Sequence, residues 1–150
     1  MKFPAKFSLA LQILCTCYKY SDKKITSNFI AAHTGADSST IRHTISDLKK
    51  KNYLDSKPGP GGTTLSCDLS SVSLFNVYEC VADINDSLLK YPSLPDSAST
   101  VDIAIWESNE KIFKRIKNDY FEILKQTTVL DICKNIQNIN PESPNEVSKS

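Results

Sequence analysis

Apolar residues recur at helical intervals along most of this chain and alternate over only one short stretch. Phe7, Leu11, Leu14 and Tyr18 stand at i, i+4, i+7 and i+11 with Ala10 and Ile13 beside them, which predicts a helix from Pro4 to about Tyr20. Pro4 suits its first turn. After the polar run SDKK, Thr26 or Ser27 can cap a helix of about two turns that turns Phe29, Ile30 and Ala31 to the core. Gly35 closes it in a left-handed conformation. Asp37 or Ser38 caps a third helix whose Ile41, Ile45 and Leu48 share one face. Then the period changes. Tyr53 and Leu54 open a strand, Gly59, Gly61 and Gly62 turn the chain together with two prolines, and Thr63 to Cys67 return with Leu65 inward.

Beyond the hairpin the pattern is helical again. Ser73 caps a helix bearing Leu74, Val77, Val81 and Ile84, and residues 83–100, with their prolines and serines, read as a loop. From Val101 to Thr127 runs a long amphipathic helix carrying Ile105, Ile112, Ile116, Tyr120 and Leu124, with Trp106, Phe113 and Ile123 beside them. A helix of that length needs a partner surface, and dimerisation through Ile105, Trp106, Ile112, Phe113, Ile116, Tyr120 and Leu124 is the expectation, against packing within one chain. Thr128 caps a last helix, from Val129 to about Ile136, whose Leu130, Ile132 and Ile136 can tuck back onto the body. The polar tail, 137–150, reads as disordered. The class is mainly α with a small β-hairpin: a winged helix-turn-helix at 1–82 (reading helix about 38–51, wing about 53–67), then a long helix and a terminal helix over 101–136.

Charge adds a direction to this outline. The net charge is only +1 over 150 residues. Residues 1–66, however, carry ten basic against four acidic side chains, a net +6, and residues 67–150 carry eight against thirteen, a net −5. A basic half is the footprint of a phosphate-backbone binder, because neutralising phosphates releases condensed counterions. The third helix suits such a partner: its polar faces begin in small hydroxyls and end in cations, so its first turn can approach base edges in a major groove. Sequence reading would fall to Ser38, Ser39, Thr40, Arg42 and His43. Phosphate or minor-groove contacts would fall to Ser27, Lys49, Lys57, Gly59, Gly61, Gly62 and Thr63, since bare glycine backbone can lie close to a phosphate. Lys49, Lys50 and Lys51 taken singly answer the helix dipole equally well.

Other classes find little support. An apolar share of 40% is ordinary for a globular domain, no window approaches a membrane span, and no secretion signal leads the chain, so a cytoplasmic location is expected. Cys15, Cys17, Cys67, Cys80 and Cys133 are odd in number and scattered, which argues for reduced thiols; Cys15 and Cys17 lie about 200° apart around a helix. No Cys or His pair has zinc spacing, and His33 and His43 sit on different helices with no nucleophile motif, so neither a metal nor an enzyme is expected. Cys67, at the exit of the wing, is the candidate thiol sensor.

The run ITSNFIAAHTGADSSTIRHTISDLKKKNYLDSKPGPGGTTL, followed by VSLFNVYECV, resembles the Rrf-two family of winged-helix transcriptional regulators, which includes IscR-, NsrR- and CymR-like proteins. TIRHTISDLKKKNYL and the PGPGG turn are similar to its YwnA-like branch. The resemblance covers about 1–135 and is strongest over 25–81; Asn52 stands where many relatives carry Gly, and Thr63 replaces a frequent aromatic. It implies a reading helix at about Ser38 to Lys51, a wing at Tyr53 to Cys67, and a long helix that crosses its partner's in a homodimer. It also implies repression of a palindromic operator in double-stranded DNA under the control of a small-molecule or redox effector. Some members hold an iron–sulfur cluster on three cysteines in the loop before the long helix. Here the loop from about Asp83 to Val101 has none, so no cofactor is expected. The alternatives are a thiol-based redox or electrophile sensor of the same family, and a winged-helix protein-interaction module without DNA binding.

Overall fold

The computed structural model describes residues 3–57, 62–86 and 93–136. Within them run α1 (Ala5–Lys19), α2 (Ser27–Thr34), α3 (Ser38–Lys50), strands β1 (Leu54–Lys57) and β2 (Gly62–Leu65), a 3-10 turn at Leu69–Ser71, α4 (Leu74–Val81), α5 (Thr100–Gln126) and α6 (Val129–Lys134). The wing's tip (58–61, including Gly59 and Gly61), the middle of the expected loop (87–92) and the tail (137–150) lie outside the described residues.

α1 is the central element, packed against α2, α3, α4, α6 and β2. Being covered on several sides, it buries Leu9 and Cys17 as well as Phe7, Ala10, Ile13 and Leu14, a broader stripe than one-face spacing predicts. Leu11 and Tyr18 are only half-buried against this core. Ile30 from α2 and Ile41, Ile45 and Leu48 from α3 close it from the other side. Each such fully buried aliphatic contributes roughly 1.5–3 kcal/mol of transfer free energy.

Local chemistry sets the boundaries. Thr26 caps α2 by accepting the Phe29 N–H at 3.0 Å, and Gly35, at φ +75°, ends it. Asp37 caps α3, accepting the Thr40 N–H at 2.9 Å. The end of α3 is a Schellman motif: Asn52 N–H donates to Lys49 O at 2.9 Å and Tyr53 N–H to Leu48 O at 3.1 Å. Asn52 stands there at φ +60°, where an asparagine serves in place of glycine. The wing pairs Leu54 with Leu65 and Lys57 with Gly62 in antiparallel register, so β2 begins at Gly62 and ends before Cys67. α4 ends at Val81 as Ala82 turns extended, leaving Ile84 outside the helix.

α5 opens on a reciprocal Ser99–Asp102 capping box and α6 on a Thr128–Asp131 one. The linkers at the two ends of this segment pair: Leu74 N–H donates to Thr127 O and Val129 N–H to Val72 O. The root of α5 is therefore fixed to the body. An aromatic cluster reinforces it, with Phe3 against Tyr120 (5.2 Å between centroids), Tyr78 against Phe121 (5.5 Å) and Phe75 against Phe121 (5.1 Å). In α6, Val129 and Cys133 are the fully buried residues; Leu130 packs beside them, and Ile132 and Ile136 are half-buried.

The long helix consequently has two apolar faces where a single one was expected. Leu124 is buried within the chain at 6% exposure and Tyr120 sits in the aromatic cluster, so these two residues seat α5 on its own body and leave the expected dimer face. Phe113 is half-buried, and Trp106, on the same helical face as Leu124, is 37% exposed. The open row consists of Val101, Ile105, Ile112, Ile116 and Ile123, between 42% and 66% exposed. At about 100° per residue these five fall within roughly 60° of one another, with a mean direction about 90° from that of Phe113, Tyr120 and Leu124.

Candidate nucleic-acid interface

α3 and the wing lie side by side because the segment from Lys51 to Tyr53 reverses the chain within three residues. Between them opens a cleft of about 360 Å³, closed at one end by the start of α2. Arg42, Ser46 and Lys49 line one wall at i, i+4 and i+7, and Ser56 and Lys57 of β1 line the other. Ser27, the first residue of α2, completes it. The described residues lining the cleft include three cations, three serines and no carboxylate. Lys49 Nζ donates to Ser56 Oγ at 2.6 Å, so one of the cations spans from α3 to the wing. Arg42 and Lys57 are exposed at its edges.

The expected site residues separate into three sets. Ser27, Arg42, Lys49 and Lys57 are gathered by the cleft. Ser38, Ser39, Thr40 and His43 lie along the first turns of α3 outside it, Ser38 half-buried with its hydroxyl 3.5 Å from Asn28 Oδ1 and the other three exposed. Thr40 is less available than its position suggests: its hydroxyl donates to Asp37 Oδ2 at 2.6 Å. That bond and the Thr40 N–H hold the Asp37 carboxyl below the usual carboxylate range. The third set, Gly62 and Thr63, also lines the cleft and has a structural role besides. Thr63 is buried at 6%, its N–H donates to Ile25 O at 2.8 Å, and a Cβ on Gly62 would stand 2.9 Å from Ile25 N. These two residues fix the wing onto the strand-like lead into α2.

Sequence reasoning missed Ser46 and Ser56, whose place in the cleft depends on how β1 lies against α3. It also missed the brace behind α3, where Asp47 pairs with Lys6 of α1 and, at 3.5 Å, with Lys50. The hydrogen bond from Lys6 leads in lowering the Asp47 carboxyl. His33 is a surface residue of α2, its Nδ1 2.8 Å from Phe29 O and its ring stacked on Phe29 at 4.1 Å.

A family model described as "Rrf2: Iron-dependent Transcriptional regulator" matches residues 3–135. The chain belongs to the Rrf2 family. Its members are transcriptional regulators, and DNA binding by a winged helix-turn-helix is the shared activity. A structure described as a candidate transcriptional regulator from Lactobacillus plantarum superposes with a TM-score of 0.74 at 23% identity, over 89% of this chain and 91% of that one. IscR from T. potens gives 0.62 at 18% identity over 90% and 88%. CymR, the global cysteine regulator of B. subtilis, gives 0.62 at 17% over 89% and 97%. At these identities the likeness shows the fold. No curated protein matches the chain. The described residues contain no helix long and apolar enough to cross a membrane.

The iron in the family's description calls for a donor set that the described residues of this Rrf2 chain do not assemble. An iron–sulfur cluster takes several cysteine thiolates close together. Between Cys80 and Cys133 the sequence has no cysteine, and among the described residues no three His, Cys, Asp or Glu side chains converge. Cys80 itself is turned back on its helix, donating to Asn76 O at 3.2 Å. The thiol of Cys67, the candidate sensor, faces Tyr53 O at 3.6 Å, and burial and then the Asp68 charge push it up.

Proposed function

We propose that this Rrf2 protein is a sequence-specific repressor that binds a palindromic operator as a homodimer and holds no iron–sulfur cluster. The observation that carries the reading is the cleft between α3 and the wing, where Arg42, Lys49 and Lys57 converge with three serine hydroxyls and, among the described residues, no carboxylate. Such a lining suits a phosphodiester backbone: the cations supply the salt-dependent attraction and the hydroxyls fix register. The exposed first turns of α3, with Ser39 and His43, are then placed to read base edges, while the wing meets the flanking backbone.

Homodimerisation is supported by the open row on α5. Five exposed aliphatics at 4- and 7-residue intervals on a helix of 27 residues make a surface that a second copy of the same row can cover. The root of that helix is fixed to the reading domain, so pairing two long helices sets the separation of two reading heads. Half-sites one helical turn apart, about 34 Å, match a two-fold dimer of this kind.

The chain has two arginines, which provide the test. Arg42→Ala removes a cation from the cleft and Arg115→Ala removes the same charge from α5. Operator affinity measured by fluorescence anisotropy falls about 5- to 150-fold for Arg42→Ala, the worth of one good arginine contact, and within about twofold for Arg115→Ala. Equal losses refute the assignment of α3 as the reading helix.

A further inference from the structure

Cys15 on α1 and Cys133 on α6 are 118 positions apart in the chain, yet their Sγ atoms stand 3.5 Å apart, in hydrogen-bond contact. Both are free thiols. We propose that they form an oxidation site, at which a disulfide staples α6 to α1. The inference does not depend on the DNA-binding reading.

Three observations support it. Closing the gap from 3.5 Å to a bonded distance of about 2.05 Å takes roughly 1.5 Å of approach, within reach of side-chain rotation and a small shift. The helix that has to move is short: α6 has six residues and is held mainly through Val129 and Cys133. The two thiols also differ in access. Cys133 is completely buried whereas Cys15 is only partly so, which makes Cys15 the sulfur that an oxidant reaches and Cys133 the resolving thiol waiting behind it.

With a hydroperoxide as oxidant the chemistry closes. The Cys15 thiolate attacks the peroxide, an S–O bond forms as the O–O bond breaks, an alcohol leaves, and Cys15 becomes a sulfenic acid. The Cys133 sulfur then attacks Cys15, the S–S bond forms, the S–O bond breaks and water leaves. Two thiols and one hydroperoxide thus give one disulfide, one alcohol and one water; the sulfur pair loses two electrons and the peroxide gains them. The reaction is slow at neutral pH, because burial pushes both thiols up, Cys15 to about 12 with the facing Cys133 adding to it. A slow, internal pair of this kind registers sustained oxidation in place of a brief pulse. Only Thr127 and Thr128 separate α6 from α5, so the staple also pins the root of the long helix.

The test treats the full chain with tert-butyl hydroperoxide and maps it without reduction. The expected product has lost about 2 Da and joins Cys15 to Cys133, with fragmentation distinguishing Cys15 from Cys17 in the same tryptic peptide. Its melting temperature rises by about 10 °C, as a cross-link closing so long a loop requires, and dithiothreitol reverses the rise. Cys15→Ser and Cys133→Ser lose both effects, while Cys67→Ser and Cys80→Ser keep them. A disulfide to any other cysteine, or oxygen addition without a 15–133 link, overturns the proposal; the wild-type map decides this even if a serine variant does not fold.

Discussion

Gly62 and Gly35 offer a controlled comparison, since both have positive φ but only one is crowded. At Gly62, φ +66°, an added Cβ meets Ile25 N at 2.9 Å, Ile25 O at 3.1 Å and Ile25 C at 3.3 Å; at Gly35, φ +75°, it meets nothing within 4 Å. Alanine at either position carries the left-handed cost, about 1–2 kcal/mol. At Gly62 the obstacle is backbone and cannot rotate away. β2 must withdraw from Ile25, straining the Thr63 N–H to Ile25 O bond, whose loss costs about 0.5–1.5 kcal/mol. Gly62→Ala should therefore destabilise by about 2–3 kcal/mol and Gly35→Ala by about 1–2 kcal/mol. In a chain of this size that corresponds to a fall in melting temperature of roughly 5–10 °C against 2–6 °C. Paired urea and thermal melts followed by circular dichroism measure both. Equal losses in the two variants refute the claim that Gly62 is kept by the close approach of the wing to the lead into α2. Because that approach holds the wing, with Lys57, against the cleft that Lys49 also lines, Gly62→Ala should also weaken DNA binding beyond what Gly35→Ala does.

Asp47 gives an acid-side prediction. Its carboxyl, bonded to Lys6, sits below the usual range, so its contribution is present above the unfolded pKa near 4 and is lost as pH falls through the depressed folded value. The pair is partly exposed, so Asp47→Asn should cost only about 0.5 kcal/mol at pH 7, and the difference from wild type should shrink as pH falls through the depressed folded value in pH-resolved urea melts. On the open row of α5, the double change Ile112→Asp and Ile116→Asp should halve the particle mass measured by light scattering, because four carboxylates brought into one dimer interface cannot be paired. A mass unchanged at micromolar concentration would remove the row from the interface.

Much of the fold was legible because its signals are local. Hydroxyl and carboxyl caps, Gly35 and a run of glycines each mark a boundary through the backbone chemistry of a few adjacent residues, and α1 to α6 start within a residue or two of where those signals stand. Asn52 at φ +60° belongs to the same class. What spacing could not resolve was which of two faces an apolar residue takes when both are apolar. Tyr120 and Leu124 follow the same period as Ile112 and Ile116, and only the position of α4 and Phe3 shows that they turn inward. Thr63 read as a polar wing residue until its pairing with Ile25 placed it in the core. Ser46 and Ser56 join the cleft, and Cys15 meets Cys133, only through tertiary packing between distant segments. The net +6 over residues 1–66 marks the half of the chain in which the cleft lies, and the fold selects which of those cations converge.

The most direct test of the central claim is selection of bound sequences from a random double-stranded DNA pool by the purified full-length chain. The account predicts enrichment of an inverted repeat whose half-sites are centred about 10 base pairs apart, with enrichment lost in Arg42→Ala. An unenriched pool, or a single half-site without its inverted partner, would contradict it.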